Sequence, residues 1–326
     1  MSTKRPFQVG VTLYSFSNEF WSYTWSFEDC MEKAAQLGKG VEIVGPQAHR
    51  GFPEVPDEFV RQFKSAVDRF ELVPTSYGSY ADVGMIPGRL LTNEELIEYT
   101  IPQIKGAAKL GFPILRLQYF VHPIAEKLLP YAEKYRVKMG YELHSPLILE
   151  SPITQHLVEQ VRKLQSPYLG LIPDDGIFCR AIPKELLQLK VRSGVPRAIV
   201  NRIQQLWEAG TPEEQAVAEV KAMGGDHTAV ELMKQCLGMF GRSDPKLLVE
   251  VAPYVVHVHG KFYSMENGKE PNIRHDEIVR SLVDGGFQGY MSSEYEGHGF
   301  TESADVFQQV KAHTALIKRL IMKYSN

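Results

Sequence analysis

Two periods of apolar residues take turns along this chain. Short runs of strand formers occur at 9–15 (VGVTLYS), 40–44 (GVEIV), 72–76 (LVPTS) and 113–118 (PILRLQ). Four more follow at 138–144 (KMGYELH), 169–174 (LGLIPD), 255–261 (VVHVHGK) and 289–296 (GYMSSEYE). Between them the period lengthens to that of a helix. At 57–70, Phe59, Phe63, Val67 and Phe70 fall on one side. Ser26 with Asp29 three residues on predicts a capping box; Met31, Ala34, Ala35 and Leu37 line that helix and Gly38 ends it. The segment 18–24 reads as a loop. Thr92 opens a helical pattern that runs to Leu110 with an interruption at Pro102, and 123–135, 152–164, 275–283 and 303–323 complete the set.

Strand–helix alternation repeated this often predicts a parallel α/β fold. Eight strands favour a closed (β/α)8 TIM barrel over a doubly wound sheet, and no GxGxxG follows the first strand. The chain 1–326 is expected to form one barrel domain. Its excess length is local: about 80 residues separate Asp174 from Pro253, roughly twice one βα unit. Helical patterns at 195–208, 211–223, 229–240 and 245–251 predict a helical insertion at 180–250, between strands 6 and 7. It reads either as padding outside the barrel or as a lid or docking surface, since it starts directly after a candidate site residue.

Composition narrows the classes. With 44% hydrophobic and 23% charged residues the chain is ordinary globular protein, and a net charge of −3 gives no footprint for nucleic acid or an anionic membrane. No run of about 18 apolar residues predicts a membrane span, and no apolar leader follows the first residues. Three cysteines without a CxxC pair argue for reduced thiols and a cytoplasmic protein.

The candidate chemistry sits at the strand ends. Glu142, Asp174, His259 and Glu294 each lie at or near the C-terminal end of a strand in the second half of the barrel, where such folds keep their active sites. Converging carboxylates repel one another unless a cation neutralises them. Oxygen donors with one imidazole suit Mn²⁺ best, with Mg²⁺, Co²⁺, Fe²⁺ or Zn²⁺ as alternatives. Asp174 is preferred to Asp175 because it directly ends its strand, His259 to His257 because it lies nearer the catalytic end, and Glu294 to Glu296 because it lies nearer the strand body. His144 shares a face with Glu142 and reads as a general acid or base, or as a partner orienting that glutamate. Lys261 stabilises an oxyanion or pairs with a ligand carboxylate. Arg116, on one face with Gln118, is a substrate clamp or a structural ion pair. His298 follows Glu296 in a Gly-His-Gly turn. Phe16, Phe20, Trp21, Tyr23 and Trp25 after the first strand, with Tyr77 and Tyr80 after the third, offer flat rings to a sugar or an aromatic ligand at the barrel mouth.

YELH, GLIPD, VHVHGK and GYMSSEYEG resemble the fifth to eighth strands of the xylose-isomerase-like barrels, which include sugar isomerases and epimerases. The resemblance covers nearly the whole chain except the insertion and implies that Glu142, Asp174, His259 and Glu294 bind one divalent metal. Endonuclease IV shares the fold, but its multi-zinc histidine set is missing. GVTLYSF (10–16), VEIVG (41–45), PTSYGSY (74–80) and HVHGKFY (257–263) resemble the catalytic α subunits of bacterial C-glycoside deglycosidases. That resemblance implies cleavage of the carbon–carbon bond of a 3-oxo-C-glucoside with a flavonoid-type aglycone. It also implies a small β-sandwich β subunit as partner, in an oligomer. His144, Glu294 and Lys261 are then the candidate catalytic residues, and Arg116, Trp21, Tyr77 and His298 the substrate-binding ones. The alternative is a metal-dependent sugar isomerase or epimerase that abstracts a proton next to a carbonyl.

Overall fold

The computed structural model describes residues 7–301 and 304–325. Eight strands form one parallel sheet: β1 Gln8–Thr12, β2 Gly40–Val44, β3 Val73–Gly78, β4 Ile114–Gln118, β5 Lys138–Leu143, β6 Leu169–Pro173, β7 Val258–Phe262 and β8 Tyr290–Tyr295. Neighbours run β6-β5-β4-β3-β2-β1-β8-β7. The remaining seam is drawn together by parallel bridges Leu171↔Val255 and Asp174↔His259, with Val256 N–H donating to the Leu171 carbonyl at 2.9 Å. The sheet is therefore a nearly closed barrel with flanking helices, a (β/α)8 fold. β7 begins three residues later than its apolar run, because Val255 bridges β6 singly and no ladder continues from it.

The helices form where period and caps agree. Asp57–Phe70 buries Phe59, Phe63 and Ala66 and ends at Glu71, whose φ of 52° stops the helix. Ser26 and Asp29 make the reciprocal cap: Ser26 N–H donates to Asp29 Oδ2 at 2.8 Å and Asp29 N–H to Ser26 Oγ at 3.1 Å. Asn93–Leu110 runs straight through Pro102, contrary to the expected interruption. The carbonyl that Pro102 cannot satisfy belongs to Glu98, an exposed residue. The segment after β1, expected as a loop, holds a short helix, Ser17–Trp21. The last helix spans Val306–Ser325; the expected start at Ser303 lies outside the described residues. Among the described residues no helix is long and apolar enough to cross a membrane.

Between β6 and β7 lie the helices Lys184–Arg192, Arg197–Glu208, Glu213–Ala222 and His227–Met239. This excursion leaves and returns at one place. Gly241 N–H donates to the Gly176 carbonyl at 3.0 Å, Cys179 N–H to Gly241 at 2.8 Å and Ser243 N–H to Ile177 at 2.8 Å. Trp207 pins it from within: its indole N–H donates to the Phe240 carbonyl at 3.0 Å, and the Arg242 guanidinium lies 5.4 Å from the ring. Trp207→Ala is expected to cost about 3–5 kcal/mol, read as a lower midpoint in urea, since it removes a fully buried ring and leaves a cavity.

All three cysteines are free and buried. Burial pushes the Cys30 and Cys236 thiols up to about 12 and that of Cys179 well above its ordinary range. At pH 8 they are protonated and shielded, so a disulfide reagent is expected to label none in the native protein and all three after denaturation. Fast labelling of one native thiol would contradict this burial.

Candidate active site

The strand register brings the polar ends together. Glu142 on β5 stands beside Gln118 of β4 and Ile172 of β6, Lys261 of β7 is paired with Glu294 of β8, and His259 bridges Asp174. One oxygen each of Glu142 and Asp174 and one nitrogen of His259 lie within 4.8 Å of one another. His259 Nδ1 is 2.7 Å from Glu142 Oε1 and 3.8 Å from Glu294 Oε2. Asp174 Oδ1 accepts from Gly176 N–H at 2.7 Å, which turns the chain past β6 and leaves Oδ2 facing the site. Asp175 points the other way, onto His275 Nδ1 at 3.1 Å.

These groups are starved of hydrogen bonds. Asp174 Oδ2, Glu294 Oε2 and both His259 nitrogens are buried without a well-aligned partner, although buried polar atoms are nearly always paired. Carboxylate oxygens converging on one imidazole nitrogen could hold a divalent cation. The same groups shift one another's charge. Burial opposes ionisation of Glu142, but Arg116 and His259 hold its carboxyl well below the usual range. Burial, helped by Asp174 and Glu296, pushes Glu294 up to about 8 against the pull of His259 and Lys261. Burial likewise opposes a charge on His259, yet Glu42, Glu294 and Glu142 raise it far above an ordinary imidazole.

Lys261 is the fixed cation of the site. Its ammonium, almost wholly buried, lies 2.7 Å from His144 Nε2, 2.8 Å from Asp174 Oδ2 and 3.2 Å from Glu296 Oε1. Burial opposes that charge, but Asp174, Glu296 and Glu294 hold it in place. An ammonium only donates, so His144 Nε2 accepts. The ring then carries its proton on Nδ1 and donates it to the Ser145 carbonyl at 2.6 Å. His144 thus packs on Lys261 and Ser145 rather than hydrogen-bonding Glu142, the orienting role considered from the sequence. Arg116 Nη1 is 3.7 Å from Glu142 Oε2 and donates to the Ser79 carbonyl at 3.1 Å.

A cavity of ≈ 470 Å³ opens above these groups. Arg116, Glu142, His144, Lys261, Glu294 and Glu296 line its inner part, and Tyr14, Trp21, Gln47 and Tyr80 its rim. Two expected substrate-binding residues are placed elsewhere. Tyr77 is fully buried, its hydroxyl 2.9 Å from His49 Nε2 and its ring against Phe112. β3 continues to Gly78, two residues past its predicted end, so Tyr77 is still a strand residue and faces away from the barrel interior, and Tyr80 takes the rim. His298 packs beside Tyr295 and Tyr14 at 5.8 Å, and Tyr14 and Glu296 form the cavity wall there. Sequence reasoning missed Tyr14, Gln47 and, deeper, Glu42. A glutamate inside the apolar run GVEIV was the available signal, because a carboxylate buried in a parallel strand requires a partner.

Solved sugar isomerases and epimerases share this barrel fold. Solved structures sharing the fold include an L-ribulose 3-epimerase (TM-score 0.61, 10% identity, 98% of this chain and 95% of that one). A xylose isomerase domain protein from Planctomyces limnophilus is another (TM-score 0.56, 14% identity, 99% and 100%). No family model matches the chain. Among curated proteins it is 40% identical to the 3'-dehydrocarminate deglycosidase alpha subunit of a Microbacterium species, over 96% of this chain and 95% of the relative. It is 34% identical to a C-glycoside deglycosidase alpha subunit of Arthrobacter globiformis, over 94% and 89%. The chain belongs to the family of C-glycoside deglycosidase alpha subunits, and it is an enzyme.

Proposed function

We propose that this chain is the catalytic subunit of a C-glycoside deglycosidase, cleaving the C–C bond between the sugar and the aromatic aglycone of a 3-oxo-C-glucoside. The observation that carries the reading is the cluster of Glu142, Asp174 and His259, with Glu294 Oε2 3.8 Å from His259 Nδ1, beside a cavity that Glu142 and Glu294 line, in a chain that shares a third or more of its residues with such subunits. Those four side chains would hold a divalent metal, Mn²⁺ first among the candidates. When bound, it supplies Lewis acidity at the sugar carbonyl.

The other steps belong to the chain's own groups. Glu294 takes the C2 proton, which the neighbouring C3 ketone acidifies. The C–H electron pair passes into an enolate and then forms the C1=C2 bond as the bond from C1 to the aglycone carbon breaks. The departing carbon takes a proton, and no oxidant or reductant is consumed. His144 lines the cavity and takes the phenol proton beside that carbon on Nε2, the ring's one acceptor, once the Lys261 N–H that occupies it turns away. Lys261 turns that N–H, with its positive charge, to the developing oxyanion. Arg116 binds sugar oxygens, and Trp21 and Tyr80 stack on the flat aglycone. The relatives are alpha subunits by name, and a small β-sandwich beta subunit is the partner we propose.

The test is incubation with a 3-oxo-C-glucoside and Mn²⁺, with and without a beta subunit. Free aglycone is expected. Epimerised sugar with no aglycone released would transfer the assignment to an epimerase.

A further inference from the structure

Beneath the proposed metal ligands lies a second polar layer that the mechanism does not use. Glu42 stands mid-way along β2, in register with Thr12 of β1 and Ser76 of β3, and is 1% exposed. Its Oε2 is 2.8 Å from His257 Nε2, and its Oε1 is 3.1 Å from His259 Nε2. Ser292 Oγ lies 3.0 Å from the same His257 nitrogen. An ionised carboxylate accepts and cannot donate, so an Nε2 proton on either ring faces a charged acceptor, although neither approach is aligned as a full hydrogen bond. A neutral His259 with its proton on Nε2 has its lone pair on Nδ1. Nδ1 is the atom that faces Glu142 and Glu294.

We propose that Glu42 is a positioning residue: it locks His259 in the Nε2–H form and aims the Nδ1 lone pair at the metal, while His257, itself held by Ser292, faces the carboxylate's other oxygen. The inference rests on the metal-binding reading given under Proposed function. Carboxylates that fix a ligating histidine in this way set its tautomer and raise its basicity. The competing use of the same side chains is a second ion held by Glu42, His257 and His259, whose donor atoms also cluster within 4.8 Å. That arrangement would make His259 bridge two metals through both nitrogens, and so lose its proton from each.

Titration with Mn²⁺, followed by elemental analysis after desalting, separates these cases in wild type and Glu42→Gln. Glutamine has one side-chain acceptor for two N–H donors, and no charge. One equivalent is expected in both proteins, with affinity lower by about 10–100-fold in the variant. Equal affinities would overturn the inference and leave the metal centre standing. Two equivalents in wild type falling to one in the variant would overturn it in favour of the second ion. A wild type that takes up no divalent ion would remove the metal centre itself, and the inference with it. Should the variant fail to fold, ¹⁵N-histidine spectra of the wild-type Zn²⁺ form decide. A protonated Nε2 and metal-bound Nδ1 on His259 support the assignment, and the opposite tautomer ends it.

Discussion

Glu142→Gln is expected to fold, to lose its divalent metal and to turn over a 3-oxo-C-glucoside slower by on the order of 10³-fold or more. The magnitude follows from the several kcal/mol a Lewis acid contributes, at about 1.4 kcal/mol per tenfold. Folding survives because the amide is isosteric and Arg116 keeps its bond to the Ser79 carbonyl at 3.1 Å. Metal binding fails because the substitution removes the oxygen charge 2.7 Å from His259 Nδ1, at the centre of the ligand cluster. Elemental analysis beside a turnover assay checks both halves, and Glu294→Gln is expected to repeat the result. A variant with full metal content and full turnover would take Glu142 out of the site.

The convergence of Glu142, Asp174 and His259 was visible in the sequence because each sits where a run of strand formers gives way to acids or histidines. In a parallel barrel all such ends lie on one side. Glu42 escaped for the opposite reason. It interrupts a strand rather than ending one, and its partners, His257 and His259, lie more than 200 positions further along. Nothing local marks that pairing. Tyr77 was misplaced by a strand end judged two residues short, which moves a side chain from a rim loop to the strand face that packs on helices. The helix Lys184–Arg192 went unread because it is short and, of its apolar residues Leu186, Leu187, Leu189 and Val191, Leu186 is the one fully buried. The helices that were read, such as Asp57–Phe70 and Pro152–Leu164, combine a full apolar stripe with clear ends. Period and caps thus located the framework, whereas contacts between strands far apart in sequence set the polar interior.

His144→Ala separates the chemistry from the metal. Its Nε2 lies 2.7 Å from Lys261 Nζ and 3.9 Å from Asp174 Oδ2, so the ring touches the ligand shell through the lysine and is not part of the cluster around His259. Metal content is therefore expected to match wild type. Turnover is expected to fall by about 10²–10⁴-fold, the usual loss when a positioned acid or base is removed. Lys261 loses one of its three acceptors but keeps Asp174 at 2.8 Å and Glu296 at 3.2 Å, so its ammonium stays in place and the loss belongs to the imidazole. The alanine leaves ring-sized space open to the cavity, and added imidazole is expected to restore part of the rate. Wild-type turnover without imidazole would strip His144 of its role. An unrecovered loss together with missing metal would mean that the ring had instead been holding Asp174 and Lys261 in register.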